Sequence, residues 1–268
     1  MNHLLRDIAP ITDRGWEELD EEARQQLVVT LAARKLVDFS GPHGWERSAT
    51  NLGRTEPLGA TPVEGVDARR RRVLALVEAR ASFSLARSEL DAIDRGADDA
   101  DLDALDEAAR RIALVENTAI FNGWPEAGIT GIATASPHAP IALTDDMNAC
   151  PGQVARAVEM LLREGVEGPY GLALGPDVYR RVVETTEHGG YPLFDHLRKI
   201  LGGPLVWAPG VDGGVVLSLR GGDFLFESGE DLAIGYHAHD TDSVHLYLVE
   251  TFTFRVVTPE AAVALPAG

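Results

Sequence analysis

The chain has 268 residues, with 24 Lys and Arg against 42 Asp and Glu for a formal net charge of −18, and 45% of it is hydrophobic. That composition suits one large or two ordinary globular domains and excludes disorder and collagen, while the acidity argues against nucleic acid and anionic membrane surfaces, which are held by clustered Lys and Arg. A single cysteine, Cys150, excludes an internal disulfide framework and a cysteine zinc cluster.

An arm of about a dozen residues without helical period, expected to lie outside the core, opens the chain and turns charged at Arg6-Asp7, unlike a signal peptide. With no apolar run approaching the ~18 residues of a membrane span and cysteine usage suited to a reducing compartment, the expected location is the cytoplasm. Trp16, Leu19, Ala23, Leu27, Leu31 and Arg34 then recur at steps of three and four, predicting a helix over 13–36 capped by Thr12 or Asp13. After the breaker Ser40-Gly41-Pro42-His43-Gly44, residues 46–82 read as a long hairpin with little core of its own. It carries Arg69-Arg70-Arg71-Arg72, the only basic run, which suits either a solvated strand edge or docking onto an acidic neighbouring subunit. A short helix is predicted over 84–96 and a longer one over 98–122, opened by a cluster of acidic residues and with Leu105, Ala108, Ile112, Val115 and Ala119 inward.

Residues 130–210 read as a compact α/β unit, with helices opening at Pro151, Pro176 and Pro192 and a strand at 171–174. The end is strand: 215–219, 224–226, 232–236 and a long one over 244–257, whose buried face runs Val244, Leu246, Leu248, Phe252, Phe254, Val256 and is broken by Glu250. A strand this long needs a partner along its length and a helix beneath it. The class is α+β.

Catalytic motifs are scarce. There is no Walker loop, dinucleotide fingerprint, HExxH or GxSxG, and Cys150 has no readable basic partner, which makes it an inert thiol. His237-Ala238-His239-Asp240-Thr241-Asp242 puts two imidazoles on one side of a strand beside a carboxylate, a set that suits zinc or iron. It resembles the HxHxDH motif of metallo-β-lactamase-type hydrolases, but Thr241 stands where that motif needs Asp and Asp242 where it needs His. A metal-dependent hydrolase or metal-binding enzyme using His237, His239 and Asp240 is therefore the alternative reading, and a polar turn the favoured one.

A set of segments along the whole chain carries a resemblance: Leu5-Arg6-Asp7-Ile8-Ala9-Pro10, Trp16-Glu17-Glu18-Leu19-Asp20, Arg34-Lys35-Leu36-Val37-Asp38, Gly41-Pro42-His43-Gly44-Trp45-Glu46, Glu89-Leu90-Asp91-Ala92-Ile93-Asp94, Gly168-Pro169-Tyr170, Arg220-Gly221-Gly222-Asp223-Phe224, Asp231-Leu232-Ala233-Ile234-Gly235-Tyr236 and Glu250-Thr251-Phe252-Thr253-Phe254. In these the sequence resembles the encapsulins, linocin-like bacterial shell proteins related to tailed-phage major capsid proteins. The resemblance implies the Hong Kong 97 capsid fold: an N-terminal arm and helix (1–45), an extended loop (46–82), a peripheral domain with its spine helix (83–129 and 223–268) and an axial domain (130–222). It implies a non-enzymatic protein that assembles with itself into a closed icosahedral nanocompartment in the cytoplasm. The cargo it implies is a dye-decolourising peroxidase or ferritin-like enzyme, tethered by a C-terminal targeting peptide. The matching inner groove has Arg34 and Asp38 on one side and Asp231, Leu232 and Ala233 on the other, with Leu31 taking apolar side chains. Some relatives stack a flavin on an aromatic residue just before the Glu-Leu-Asp motif; Ser88 stands there, without a ring, so no flavin or other cofactor is expected.

Overall fold

In the computed structural model, which describes residues 3–187 and 189–268, the first helix is Asp13–Thr30 (α1), with the Thr12 hydroxyl accepting from the Gly15 N–H at 3.1 Å. A short strand Asp38–Ser40 (β1) precedes the pair Ala49–Pro57 (β2) and Arg69–Ala75 (β3), then Val77–Ala86 (β4). The helices Arg87–Arg95 (α2), Asp103–Phe121 (α3) and the single turn Ile132–Ala135 (α4) follow. Next come Cys150–Arg163 (α5), Tyr170–Leu174 (β5), Pro176–Glu184 (α6), Leu193–Leu201 (α7), Leu205–Trp207 (β6) and Gly214–Ser218 (β7). The chain closes with Phe224–Ser228 (β8), Ala233–His239 (β9), Ser243–Val256 (β10) and Ala262–Leu265 (β11).

Two sheets organise these elements. One has the order β1-β8-β10-β4, with β9 paired to β10 on the same side as β8. β10 is therefore the girder: β4 runs antiparallel along one edge from Ser243 to Phe252, while β9 and β8 divide the other. Helix α3 packs on β4 and β10, burying Leu105, Ile112 and Ile120. The second sheet, β11-β7-β5-β6, is covered by α5, α6 and α7. Every residue of β5 and β7 is buried there, as expected of strands covered on both faces.

The structure departs from the sequence reading in four places, each for a packing reason. Helix α1 stops at Thr30, six residues early, because the buried amide of Asn117 competes for its end: Asn117 Oδ1 accepts from Ala32 N (2.9 Å) and Ala33 N (3.1 Å), and Nδ2 donates to Thr30 O (2.8 Å). The ribbon at 46–82 is only β2 and β3, since β4 alternates buried and exposed residues against α3. The opening arm is not outside the core. Leu4 is 8% exposed, packs on Tyr247 and Val249, and accepts from Tyr236 N at 2.9 Å, so it covers the second face of β10. Finally, β11 pairs with β7, which returns residues 262–265 to the second sheet, although the sequence boundaries place them with the first.

Candidate functional site

The break after α1 decides the local chemistry. It turns Arg34 inward on a 3-10 turn, Ala33–Lys35, where the guanidinium meets three carboxylates from distant parts of the chain. Nε donates to Glu116 Oε2 of α3 at 2.7 Å, Nη1 to Asp231 Oδ1 at 2.7 Å and Nη2 to Glu250 Oε2 of β10 at 3.1 Å. The same group lies 5.0 Å from the ring centre of Phe39 and 5.2 Å from that of Phe226. Phe226 in turn stacks on Phe252.

Glu116 is 0% and Glu250 1% exposed. Burial, joined by the neighbouring Glu116 carboxylate, holds the Glu250 carboxyl well above the usual range, and Arg34 only partly counters this. Burial raises Glu116 too, against the pull of Arg34. For Arg34, burial alone would lower the pKa, but the facing carboxylates raise it above its ordinary value. The Oε1 atoms of both glutamates are buried without a hydrogen-bond partner among the described residues.

The sign of the pH dependence follows. A carboxyl whose pKa is raised by folding contributes stability below its unfolded value, and that contribution is lost as pH rises through the folded one. Thermal melting is expected to show a midpoint that falls as pH rises above the ordinary glutamate range, and Glu250→Gln is expected to flatten the fall. A midpoint that rises with pH over this range contradicts the raised carboxyls.

Beside this cluster a groove of about 500 Å³ runs between α1 and β9. Its floor is apolar, with Leu27, Leu31, Leu232 and Ile234, and its rim includes Arg34 and Asp231. Arg6, bound bidentately by Asp20 and lying 4.2 Å from the Trp16 ring centre, fixes the arm across one end. Tyr236 gives its N–H to the arm on the outer edge of β9. By the alternation of an antiparallel strand, Ile234 turns its own backbone groups to that edge, into the groove.

Five of the six residues assigned to the groove in the sequence therefore meet there: Leu31, Arg34, Asp231, Leu232 and Ala233. Asp38 does not. It opens β1, where its carboxylate accepts from Gly222 N at 2.5 Å and lines a separate hollow with Lys35 and Leu219. Arg34 turns its donors into the protein, onto the three carboxylates. Glu116 and Asn117 were missed: the stripe through Val115 put Asn117 outward and left Glu116 on its flank, whereas Val115 is 38% exposed and both polar residues are fully buried. Glu250 left a legible trace as the one acid on an apolar strand face.

The histidine segment does not assemble a metal set. In β9, Tyr236 pairs with Leu246 and Ala238 with His245, so His237 is the extra residue of a bulge. His239 Nδ1 meets the Tyr236 hydroxyl at 2.5 Å, and Asp240 Oδ1 accepts from Asp242 N and Ser243 N, both at 2.8 Å. No group of three or more metal-ligating side chains occurs among the described residues. Cys150 is buried and burial pushes its thiol up to about 11, away from the thiolate a nucleophile requires. Ser88 is exposed in the first turn of α2. No helix among the described residues is long and apolar enough to cross a membrane.

The fold has solved counterparts in capsids. The virus-like particle from Pyrococcus furiosus superposes with a TM-score of 0.67 at 15% identity, over 93% of this chain and 98% of that one. The capsid of an empty GTA particle gives 0.54 at 14% identity, over 89% and 90%. Those likenesses define a Hong Kong 97-type capsid fold. The sequence narrows this: a family model, Linocin_M18, described as encapsulating protein for peroxidase, matches residues 1–253. The type 1 encapsulin shell protein of Rhodospirillum rubrum is 52% identical over 270 residues, 99% of this chain and 96% of that protein. That of Mycobacterium tuberculosis is 43% identical over 265 residues, 99% of each. The chain belongs to this family of encapsulin shell proteins. It is a structural, capsid-like protein that forms a cage, and not an enzyme.

Proposed function

We propose that the shell closes with icosahedral symmetry in the cytoplasm around an enzyme cargo, captured by its C-terminal targeting peptide in the groove between α1 and β9. The observation that carries this reading is the groove itself, an apolar trough beside an outward-facing stretch of the β9 edge. An extended peptide can add to such an edge through main-chain hydrogen bonds while alternate apolar side chains fill the trough. The cargo is a dye-decolourising peroxidase or a ferritin-like protein, and the family's description as encapsulating protein for peroxidase supports the first of these. Because Arg34 is held by three carboxylates, it shapes the rim and leaves recognition to Leu31, Leu232 and the β9 backbone.

The test is co-expression with a reporter carrying a Gly/Leu-rich C-terminal tail of the kind such cargo would bear. Wild-type particles are expected to retain it. Leu232→Asp, which puts a charge into the apolar trough, is expected to reduce packaging by about tenfold or more while particles persist. Normal packaging by that variant would remove the groove from its assigned role.

A further inference from the structure

The β4–β10 ladder carries a chain of serine, histidine and carboxylate that neither the groove nor the ionic cluster uses. In the register of these antiparallel strands Ser84 stands opposite His245. The Arg87 N–H donates to Asp242 O at 2.9 Å, which makes that pair a hydrogen-bonded one. By alternation Ser84 and His245 form a non-hydrogen-bonded pair, the kind whose side chains stand closest. Ser84 Oγ lies 2.7 Å from His245 Nδ1, and His245 Nε2 lies 3.3 Å from Asp240 Oδ2. A carboxylate only accepts, so it fixes the tautomer: Nε2–H donates to Asp240, and the bare Nδ1 accepts the Ser84 hydroxyl.

The carboxylate is itself held. Its other oxygen accepts from Asp242 N and Ser243 N, and these two amides keep Asp240 below the usual carboxylate range. The bond from Arg87 N ties the same turn to the start of α2. Alternation also turns the backbone N–H of Ser84 away from β10, to the outer edge of β4, where the sheet ends. Ser82 shows the same direction, since its carbonyl oxygen accepts from Arg111 Nη2 at 2.9 Å. An N–H on the nucleophile's own residue, left free by the ladder, is available to the oxyanion that forms when a carbonyl is attacked. Ser84 is exposed, and the His245 and Asp240 side chains are 40% and 57% exposed, so a small ester can reach all three.

We propose that Ser84 is an acyl-acceptor site, with His245 as its base and Asp240 positioning the ring, reactive toward neutral activated esters. The Ser84 oxygen bonds to the acyl carbon, and the bond from that carbon to the alkoxy oxygen breaks. The serine proton passes through His245 Nδ1 to the departing alkoxide. The step ends at the acyl-serine, so it marks the shell protein without making it an enzyme. Two carboxylates, Asp240 and Asp242, against one guanidinium, Arg87, disfavour an anionic donor at this turn.

The experiment treats the purified full-length protein with a neutral alkyl fluorophosphonate, whose phosphorus is attacked in the same way as fluoride leaves, and follows the label by peptide mass. Ser82 is the internal reference: it is exposed on the same face of β4 but stands opposite Tyr247 instead of a histidine. Ser84 is expected to label at least about tenfold faster than Ser82, the low end of what a positioned base contributes. His245→Gln is expected to bring Ser84 down to the rate of Ser82. Asp240→Asn keeps a side-chain oxygen for the turn, while its amide N–H can turn the ring proton onto Nδ1. It is expected to slow Ser84 by about tenfold with Ser82 labelling and the melting temperature unchanged. Equal labelling of the two serines in the wild type overturns the proposal, as does labelling of Ser84 that survives His245→Gln or Asp240→Asn at the wild-type rate.

Discussion

Arg34→Ala is expected to lower the melting temperature on the order of 10 °C, corresponding to a loss of about 3–5 kcal/mol for removing one partner of a buried ionic cluster. The reason lies in what remains. Glu116 and Glu250 stay buried, with no other cation paired to them among the described residues, and Asp231 reaches the guanidinium only from the rim. Neutralisation relieves them, so the defect is expected to be small in acid and to grow as pH rises. Replacing both glutamates by Gln in the Arg34→Ala background is expected to recover a substantial part of the loss. Thermal melts of the single and triple variants at several pH values check this. A defect independent of pH, or no recovery in the triple variant, would mean that the arginine acts through packing on Phe39 and Phe226 rather than through its charge.

Phe226→Ala is the second large effect, at about 3–5 kcal/mol for a fully buried phenylalanine. Its ring is 5.4 Å from that of Phe252 and 5.3 Å from that of Phe39, both nearly parallel, so its removal opens a cavity where β1, β8 and β10 meet. Phe39→Ala is expected to cost much less, since Phe39 is 38% exposed at the sheet edge. Because Phe226 also faces Arg34, the double variant Arg34→Ala/Phe226→Ala is expected to lose less than the two single losses together, as residues in contact do. Denaturant titration of the four proteins measures the coupling. Strict additivity would separate the aromatic stack from the ionic cluster.

What the sequence made legible, and what it hid, follows from the range of the interactions involved. Local patterns served where neighbouring residues decide. The apolar stripe of α1, the proline-opened helices and the length of β10 all come from short-range rules and tally with the fold. The end of α1 did not, because Asn117, 87 positions beyond Thr30, ends the helix, and no window along the chain contains both. The same holds for the cluster under the groove. Arg34, Glu116 and Asp231 each look like a surface charge in isolation, and they meet Glu250 only through the packing of α3 on the sheet. Glu250 was visible as an interruption without a partner. The groove residues came from likeness to a family; five of them line one groove, and Asp38 lines a separate hollow. The two histidines of β9 failed for a local reason, a bulge that the alternating pattern does not announce.

The central claim is that this chain builds a closed cage. Light scattering across the size-exclusion peak, with negative-stain images of the same fraction, tests it most directly. The account predicts a megadalton species made of uniform hollow particles. A monomer or small oligomer under native conditions would contradict it.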